Sequence, residues 1–317
     1  MEIKQKPEDF YVEEIPEIKP TKKGPYIICE LIKKDYNTEN AIQEITKQLN
    51  IPRKHIGFAG TKDRKAITKQ QITIKTNPEK IQKFKHKNIT LKYINKNEEP
   101  LSLGRLKGNK FKITIRNLNG TEKIQNKKII NYFHKQRFSK NNTEIGKHLI
   151  KKQYKEAVQI LQEDNTYKHK INEHLKKSNN DYVGALKTLP KKILTLYAHA
   201  YQSKIWNETI QELKKQNKLP ENVPIPGFSP YQTDKDTEEI ITKIMKKEQI
   251  TQKDYLNKDI PSLCIEGTTR KTTTNTKNLK IHEYKEDELN PNKKKITIEF
   301  ELGKGEYATN AIEQLFE

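Results

Sequence analysis

The chain has 317 residues, and its 62 Lys and Arg against 41 Asp and Glu give a formal net charge of +21 and a pI near 9.6. This length can bury a substantial core, and the charge favours nucleic acid as the partner, although solvated lysines of a Lys-rich chain could also account for it. Two distant cysteines exclude a disulfide framework or a zinc knuckle, and the lack of a long apolar segment predicts a cytoplasmic protein without a membrane partner.

The first part of the chain combines strand and helix patterns. Alternation of apolar and polar residues, rich in β-branched and aromatic types, predicts strands at 26–32, 71–75, 89–94 and 111–118. Apolar residues at helical spacing predict a helix over 38–49, with Thr38 as its N-terminal cap. The fold class of this region is therefore α+β.

The pattern becomes helical from about residue 143, most clearly over 196–216, and Pro and Gly interrupt it over 220–230. A short helix is predicted at 237–248, and a Thr-rich loop or edge strand at 267–278. These segments have little in common with the strands that precede them, which indicates a second region of structure.

A strong strand pattern returns at 295–302 and is followed by a helix-like tail. We expect this last strand to join the sheet formed by the first strands. The chain is then predicted to consist of one domain, residues 1–142 and 280–317, interrupted by an inserted domain over residues 143–279.

The segment 57-GFAGTKDRKAITKQQ-71 contains a single acid, Asp63, and its immediate neighbours are cationic: Lys62, Arg64 and Lys65. Two glycines indicate a turn before the strand that starts near residue 66, so Asp63 is predicted to lie in a loop that flanks a strand, where functional groups often occur. The spacing is not that of a phosphate-binding loop, and cationic neighbours do not suit a metal.

Cations near a carboxylate favour its ionised form, which suits a nucleophile better than a general acid. The alternative is that Asp63 pairs with its neighbours only to order a basic RNA-binding turn, since structural ion pairs also perturb carboxylates. These residues alone leave both interpretations open.

The stretch 59-AGTKDRKAITKQ-70 resembles the signature of the TruD family of tRNA pseudouridine synthases. Five further blocks match in the family's order: 4-KQKPEDFYVEE-14, 103-LGRLKGNKF-111, 131-NYFHKQRF-138, 201-YQSKIWN-207 and 303-GKGEYATNAIEQL-315. The resemblance implies a pseudouridine synthase-type catalytic domain with a mainly antiparallel central sheet flanked by helices, and an inserted α+β TRUD domain.

The resemblance also implies a function. Family members break the N1–C1′ bond of a uridine in tRNA, typically uridine 13 of the D-arm, and rejoin the base through C5 without cofactor or metal, and no protein partner is implied. The matching positions make Asp63 the catalytic carboxylate, acting on C1′ or on a ribose proton. They make four further residues substrate-binding: Lys4, Phe10, Asn131 and Phe133.

The residue types suit that chemistry. Glycosidic cleavage develops positive charge on the ribose, which a carboxylate can stabilise or capture. An aromatic such as Phe133 could stack on the extruded uracil, although Phe10 and Phe133 could equally be core aromatics. The candidate contacts to the RNA backbone are Lys62, Arg64, Lys65, Arg105, Lys107 and Asn109, together with Lys110.

Two competing functions stay open at the level of sequence. One is a non-catalytic basic RNA-binding protein that uses the same cleft, and the other is an RNA glycosylase or hydrolase. A hydrolase would require an activated water, whereas in the isomerase the detached base is the returning nucleophile, so the lack of a second acid beside Asp63 favours the isomerase.

Overall fold

The computed structural model describes residues 1–125, 128–138, 141–163 and 166–316. The chain forms two compact units. Unit 1 contains residues 1–129 and 274–317, and unit 2 contains residues 130–273. Within the described ranges, no helix has the length and apolar character that crossing a membrane requires.

The N-terminal part of unit 1 alternates strands with two helices. Its elements are β1 (Glu2–Ile3), β2 (Phe10–Pro16), β3 (Tyr26–Lys34), α1 (Thr38–Leu49), β4 (Ile56–Phe58), β5 (Ile67–Ile74), α2 (Pro78–Ile81), β6 (Ile89–Asn97) and β7 (Leu106–Leu118), and the chain passes to unit 2 within β8 (Ile129–Ile130). Each strand predicted in this region is present, and β7 begins five residues before the predicted 111–118 because Gly108 and Asn109 continue its pairing.

Unit 2 is mainly helical. Its elements are α3 (Asn142–Ile150), α4 (Tyr154–Glu163), α5 (Lys168–Lys177), α6 (Tyr182–Lys187), α7 (Lys191–Lys215), β9 (Asn222–Ile225), α8 (Lys235–Lys247), β10 (Thr268–Lys271) and β11 (Thr273–Thr274). The chain then returns to unit 1 with β12 (Lys277–Ile281), β13 (Lys285–Glu286), β14 (Lys294–Gly303) and α9 (Ala308–Leu315).

Unit 1 is organised around a ten-stranded sheet in the order β12-β14-β7-β2-β5-β3-β6, and three short strands pair with inner strands: β1 with β7, β13 with β14 and β4 with β5. Strands β2 and β5 are parallel, and the other described pairings of this sheet are antiparallel. The predicted α+β class with a mainly antiparallel sheet is confirmed. Strand β14 pairs with β7 from Lys294 to Gly303, so the last strand joins the first sheet as expected.

Helix α1 packs its apolar stripe onto the sheet, where Ala41, Ile42, Ile45 and Leu49 are all buried. The prediction that Thr38 caps α1 is wrong. Asn37 is the cap, and its side chain accepts a hydrogen bond from the Glu39 N–H at 2.8 Å. Thr38 is buried instead, and its hydroxyl bonds to the loop that contains Asp63.

Arg116 of β7 binds two acidic residues that are far apart in the sequence, Asp9 and Asp287. It is buried in β7, where it donates to Asp9 at 2.9 Å and to Asp287 at 2.6 Å. Burial opposes the ionisation of Asp287, but hydrogen bonds from the Asn117 N–H, Asn290 and others outweigh it and lower its pKa to about 2. The N-terminal turn and the segment before β14 are therefore fixed to the same strand.

The unit boundaries differ from the expected domain boundaries at 142/143 and 279/280. Residues 131–138 contact α7, since Phe133 lies against Trp206 and Arg137 donates to Ser203. Strand β12 pairs with β14, which places residues 277–281 in unit 1. In unit 2, α7 begins five residues before the predicted 196–216, and the Thr-rich segment forms β10, which pairs with β9.

Gly57 in β4 and Gly60 in the loop that follows it offer a matched test of this packing. A methyl group at Gly57 would lie 2.2 Å from the Leu101 carbonyl oxygen, whereas at Gly60 the nearest non-neighbouring described atom would be Lys62 Nζ at 3.7 Å. We expect Gly57→Ala to lower the free energy of unfolding by about 2 kcal/mol or more, because the backbone must move, and Gly60→Ala to change it by less than about 0.5 kcal/mol. Urea denaturation measures both, and equal effects would contradict the packing around β4.

Candidate active site

Asp63 lies in the loop of residues 59–66, here called the Asp63 loop, which connects β4 to β5. Buried side chains hold its backbone in place. Gln70 Nε2 donates to the Gly60 carbonyl oxygen at 3.0 Å, and the Lys62 N–H donates to the Thr38 hydroxyl at 3.0 Å. The loop therefore has a defined conformation that the sheet and α1 impose.

Lys33 contributes a third anchor. It lies at the end of β3 on the inner face of the sheet, and its side chain is fully buried. Its Nζ donates to the main-chain oxygens of Asp63 at 2.7 Å and of Lys62 at 3.4 Å. Loss of hydration lowers the pKa of Lys33 to about 8, even though Asp63 attracts its positive charge.

The side chain of Lys62 belongs to the interior. Its Nζ pairs with Glu14 Oε2 at 2.5 Å, and the two side chains are 6% and 1% exposed. Glu14 also accepts from the Gln71 N–H at 3.3 Å. This burial argues against the predicted role of Lys62 as a contact to the RNA backbone, because its ammonium is already used inside the protein.

The Asp63 carboxylate itself is open to solvent. It is 40% exposed, and Lys4 Nζ lies 3.3 Å from its Oδ2. The same ammonium sits 4.0 Å from the centre of the Phe10 ring, which is buried in the core beside Phe111. The structure thus brings together three of the predicted site residues, Asp63, Lys4 and Phe10, and the Phe10 ring contacts the Lys4 ammonium.

The remaining candidates for RNA contacts in unit 1 are mostly at the surface. Arg64 and Lys65 are exposed, with Arg64 3.8 Å from Asp35, and Lys107 is exposed on β7. Arg105 forms an exposed pair with Glu99 at 3.2 Å. Of the last two candidates, Lys110 lies 4.0 Å from Glu301, and Asn109 is half-buried in β7.

Asn131 and Phe133 lie in unit 2, where Arg270 contacts both. Arg270 donates to the Asn131 main-chain oxygen at 3.0 Å and to its Oδ1 at 2.6 Å, and Asn131 Nδ2 donates to the Lys271 carbonyl at 3.1 Å. The Arg270 guanidinium is 4.2 Å from the centre of the Phe133 ring. Both predicted substrate contacts are thus held by one arginine.

Phe133 is 8% exposed and packs edge-on against Trp206, with 5.5 Å between ring centres. Its main chain is bracketed by Asn207, whose Oδ1 accepts from the Phe133 N–H at 3.0 Å and whose Nδ2 donates to the Phe133 carbonyl at 2.9 Å. Burial of Phe10 and Phe133 agrees with the interpretation of these residues as core aromatics, and a contact of either ring with substrate stays a prediction.

Several residues that contact the predicted site residues or their loop were not identified from the sequence, although a signal existed. Strands β2 and β3 alternate inward and outward, and the inward positions include Glu14 and Lys33 as well as apolar residues. Charged residues at inward strand positions indicate a buried polar cluster. Arg270 lies in 266-EGTTR-270, and Asn207 ends the matching block 201–207.

The arrangement of His, Cys, Asp and Glu side chains in the described residues gives no support for a metal site. In the ranges that the structure describes, no group of three His, Cys, Asp or Glu side chains is arranged to hold a metal ion.

The burial of the Lys62–Glu14 ion pair predicts that removing the lysine lowers the stability of the protein far more than breaking an exposed pair does. Lys62→Met should lower the free energy of unfolding by about 3–5 kcal/mol, because it leaves the Glu14 carboxylate buried and unpaired. The control is Arg105→Met, which breaks a pair whose side chains are 43% and 71% exposed and should cost less than about 1 kcal/mol. Denaturant titrations measure both, and similar losses would show that Lys62 is not buried as described.

Comparison with known proteins places the chain in one family. The family model described as tRNA pseudouridine synthase D (TruD) matches residues 1–169, 159–223 and 209–314. A Nanoarchaeum equitans protein named "Probable tRNA pseudouridine synthase D" is 34% identical, with 100% of this chain and 98% of the relative covered. The Methanocaldococcus jannaschii "Probable tRNA pseudouridine synthase D 2" is 32% identical over 100% of this chain and 92% of the relative.

The fold agrees with this assignment. A Methanosarcina mazei crystal structure assigned to tRNA pseudouridine synthase D (TruD) superimposes with a TM-score of 0.75 at 24% identity, covering 99% of this chain and 93% of the other. Since the family model and two relatives above 30% identity extend over nearly all of the sequence, the chain belongs to the tRNA pseudouridine synthase D (TruD) family.

Proposed function

We propose that this chain converts uridine 13 in the D-arm of tRNA to pseudouridine, with Asp63 as the catalytic carboxylate. Membership of the family makes the protein a tRNA pseudouridine synthase, which is an isomerase. The observation that supports Asp63 is its setting: a solvent-accessible carboxylate, ion-paired to Lys4, on a loop whose backbone is bonded to buried side chains.

The chemistry requires a group that stabilises positive charge on the ribose. When the N1–C1′ bond breaks, its electron pair leaves with the uracil and the ribose becomes electron-deficient. A carboxylate can answer this charge by bonding to C1′ or by taking a ribose proton. After the base turns, C5 bonds to C1′ while the carboxylate leaves C1′ or the ribose regains its proton. Loss of the proton from C5 and gain of a proton at N1 then restore the ring of the uracil, so atoms and charge balance without an external reactant.

Lys4 has a defined part in this scheme. In the protein without RNA, its ammonium neutralises Asp63 at 3.3 Å, and the Phe10 ring holds the ammonium by a cation–π contact. The backbone of Lys4 adopts a left-handed conformation, with φ of 59°, which turns the chain between β1 and β2 and directs the side chain to the loop. Lys4 thus orders the carboxylate before substrate arrives.

The phosphates of tRNA have candidate partners at the surface of unit 1. Arg64, Lys65 and Lys107 carry exposed side chains, and contacts of this kind orient RNA without reading its sequence. Asn131 and Phe133 keep the role of substrate contacts that the family resemblance gives them, with Arg270 as their common support.

The direct test is release of tritium from tRNA labelled at C5 of uridine. The wild-type protein should release it, and Asp63→Asn should be slower by at least ~10³-fold, because the variant keeps the shape of the side chain but removes its charge. Binding of tRNA, followed by gel shift, should be nearly unchanged. A transcript with cytidine in place of uridine 13 should release none from that position.

The matched control is Asp35→Asn, which makes the same change in a neighbouring loop. Asp35 pairs with Arg64 and has φ of 48°, a conformation that Asn adopts readily. This variant should keep full activity. A wild-type protein that binds tRNA but releases no tritium would contradict the proposal and favour a non-catalytic RNA-binding protein, and free uracil among the products would favour a glycosylase.

A further inference from the structure

We propose that Lys33 is the positioning residue of the catalytic carboxylate: its buried ammonium fixes the two peptide groups on either side of Asp63 and so sets the direction of the side chain. The inference rests on the proposed function of Asp63. It concerns a residue that lies outside every sequence block used to recognise the family, on the inner face of β3.

One ammonium group, Lys33 Nζ, contacts the peptide groups on both sides of Asp63. The Lys62 carbonyl belongs to the peptide group that precedes the Asp63 Cα, and the Asp63 carbonyl belongs to the one that follows it. Lys33 Nζ donates to both, at 3.4 and 2.7 Å. Since the planes of these two peptide groups determine φ and ψ of Asp63, one ammonium restrains the backbone torsions that aim the carboxylate.

Other anchors act on the residues that precede Asp63. The Thr38 hydroxyl lies 3.4 Å from the Lys62 carbonyl oxygen and shares that acceptor with Lys33. Thr38 accepts from the Lys62 N–H, Glu14 holds the Lys62 side chain, and Gln70 donates to the Gly60 carbonyl. These contacts fix the approach to Asp63 but not the peptide group that follows it. Among the described side-chain bonds, the one from Lys33 restrains the Asp63 carbonyl, which makes Lys33 the residue that completes the clamp.

Burying the ammonium of Lys33 costs desolvation free energy, and an apolar side chain would fill the same space without that cost. Its ammonium is withdrawn from water, and its main partners are carbonyl oxygens rather than a direct carboxylate. An apolar residue on the same face, as at Leu31, would avoid that penalty. A charged donor gives shorter and stronger hydrogen bonds to carbonyls than a neutral one, which suits a group that must hold a catalytic loop.

The test compares Lys33→Met with Lys34→Met. The neighbouring Lys34 points to the opposite face, is exposed and pairs with Glu8, so it controls for loss of one positive charge on β3. Lys33→Met should lower the tritium-release rate at saturating tRNA by about 100-fold, as a misplaced catalytic group does, while tRNA affinity changes by less than threefold. Lys34→Met should keep the wild-type rate.

The pH dependence separates positioning from a merely structural role. Burial lowers the pKa of Lys33 to about 8, so the wild-type ammonium becomes neutral as the pH rises through this value. The charged groups that face it are Asp63 and Lys62, and beyond them Glu14, which pairs with Lys62. The wild-type rate at saturating tRNA should therefore decline above about pH 8, and the Lys33→Met rate should not show this decline.

The outcomes are distinct. If the wild-type protein releases no tritium, the proposed function and this inference both fail. If the wild type is active and Lys33→Met is within threefold of it, only the inference fails, and equal losses in affinity and rate would also overturn it. If Lys33→Met does not fold, Lys33→Gln replaces it, because its amide can still donate to one carbonyl without a titrating charge, and its profile should likewise lack the decline.

Discussion

Three charged side chains are buried beneath the Asp63 loop, and the site depends on each of them having a partner inside the protein. Glu14, Lys33 and Lys62 are all withdrawn from water, and each must find a partner inside the protein. Glu14 and Lys62 form an ion pair, while Lys33 donates hydrogen bonds to two carbonyl oxygens of the loop. The loop can satisfy these groups in one conformation, and that conformation presents the Asp63 carboxylate to solvent.

The surrounding sheet gives this cluster a rigid base. Strands β2, β3 and β5 bury apolar side chains along most of their inner faces, with α1 packed on β3 and β5, and change to polar residues near the loop. Arg116, near the end of β7, binds Asp9 and so holds the segment between Lys4 and Phe10 to that strand. Catalytic groups held by rigid elements keep their geometry better than groups on free loops, and here a loop acquires that rigidity from the core.

The two groups of predicted site residues differ in how they are supported. Asp63 is held through its backbone and is open to solvent, whereas Asn131 and Phe133 are held through their side chains by Arg270 and are buried. The burial of the Lys62 side chain argues against its predicted contact with RNA, which stays a prediction. Lys62 stands beside Asp63 in the sequence, but its ammonium pairs with Glu14, 48 residues away.

The sequence by itself determined the α+β class, five of the ten strands of the sheet and the return of β14, and it singled out Asp63 as the candidate, because these depend on local periodicity and on contiguous motifs. Only the tertiary structure decided that Asn37 rather than Thr38 caps α1, that residues 130–142 join unit 2, and that Lys33 holds the Asp63 loop. These features depend on partners far apart in the chain. Side-chain burial and hydrogen-bond partners follow from the packing of strands, and no pattern within one strand records which residue of another will meet it.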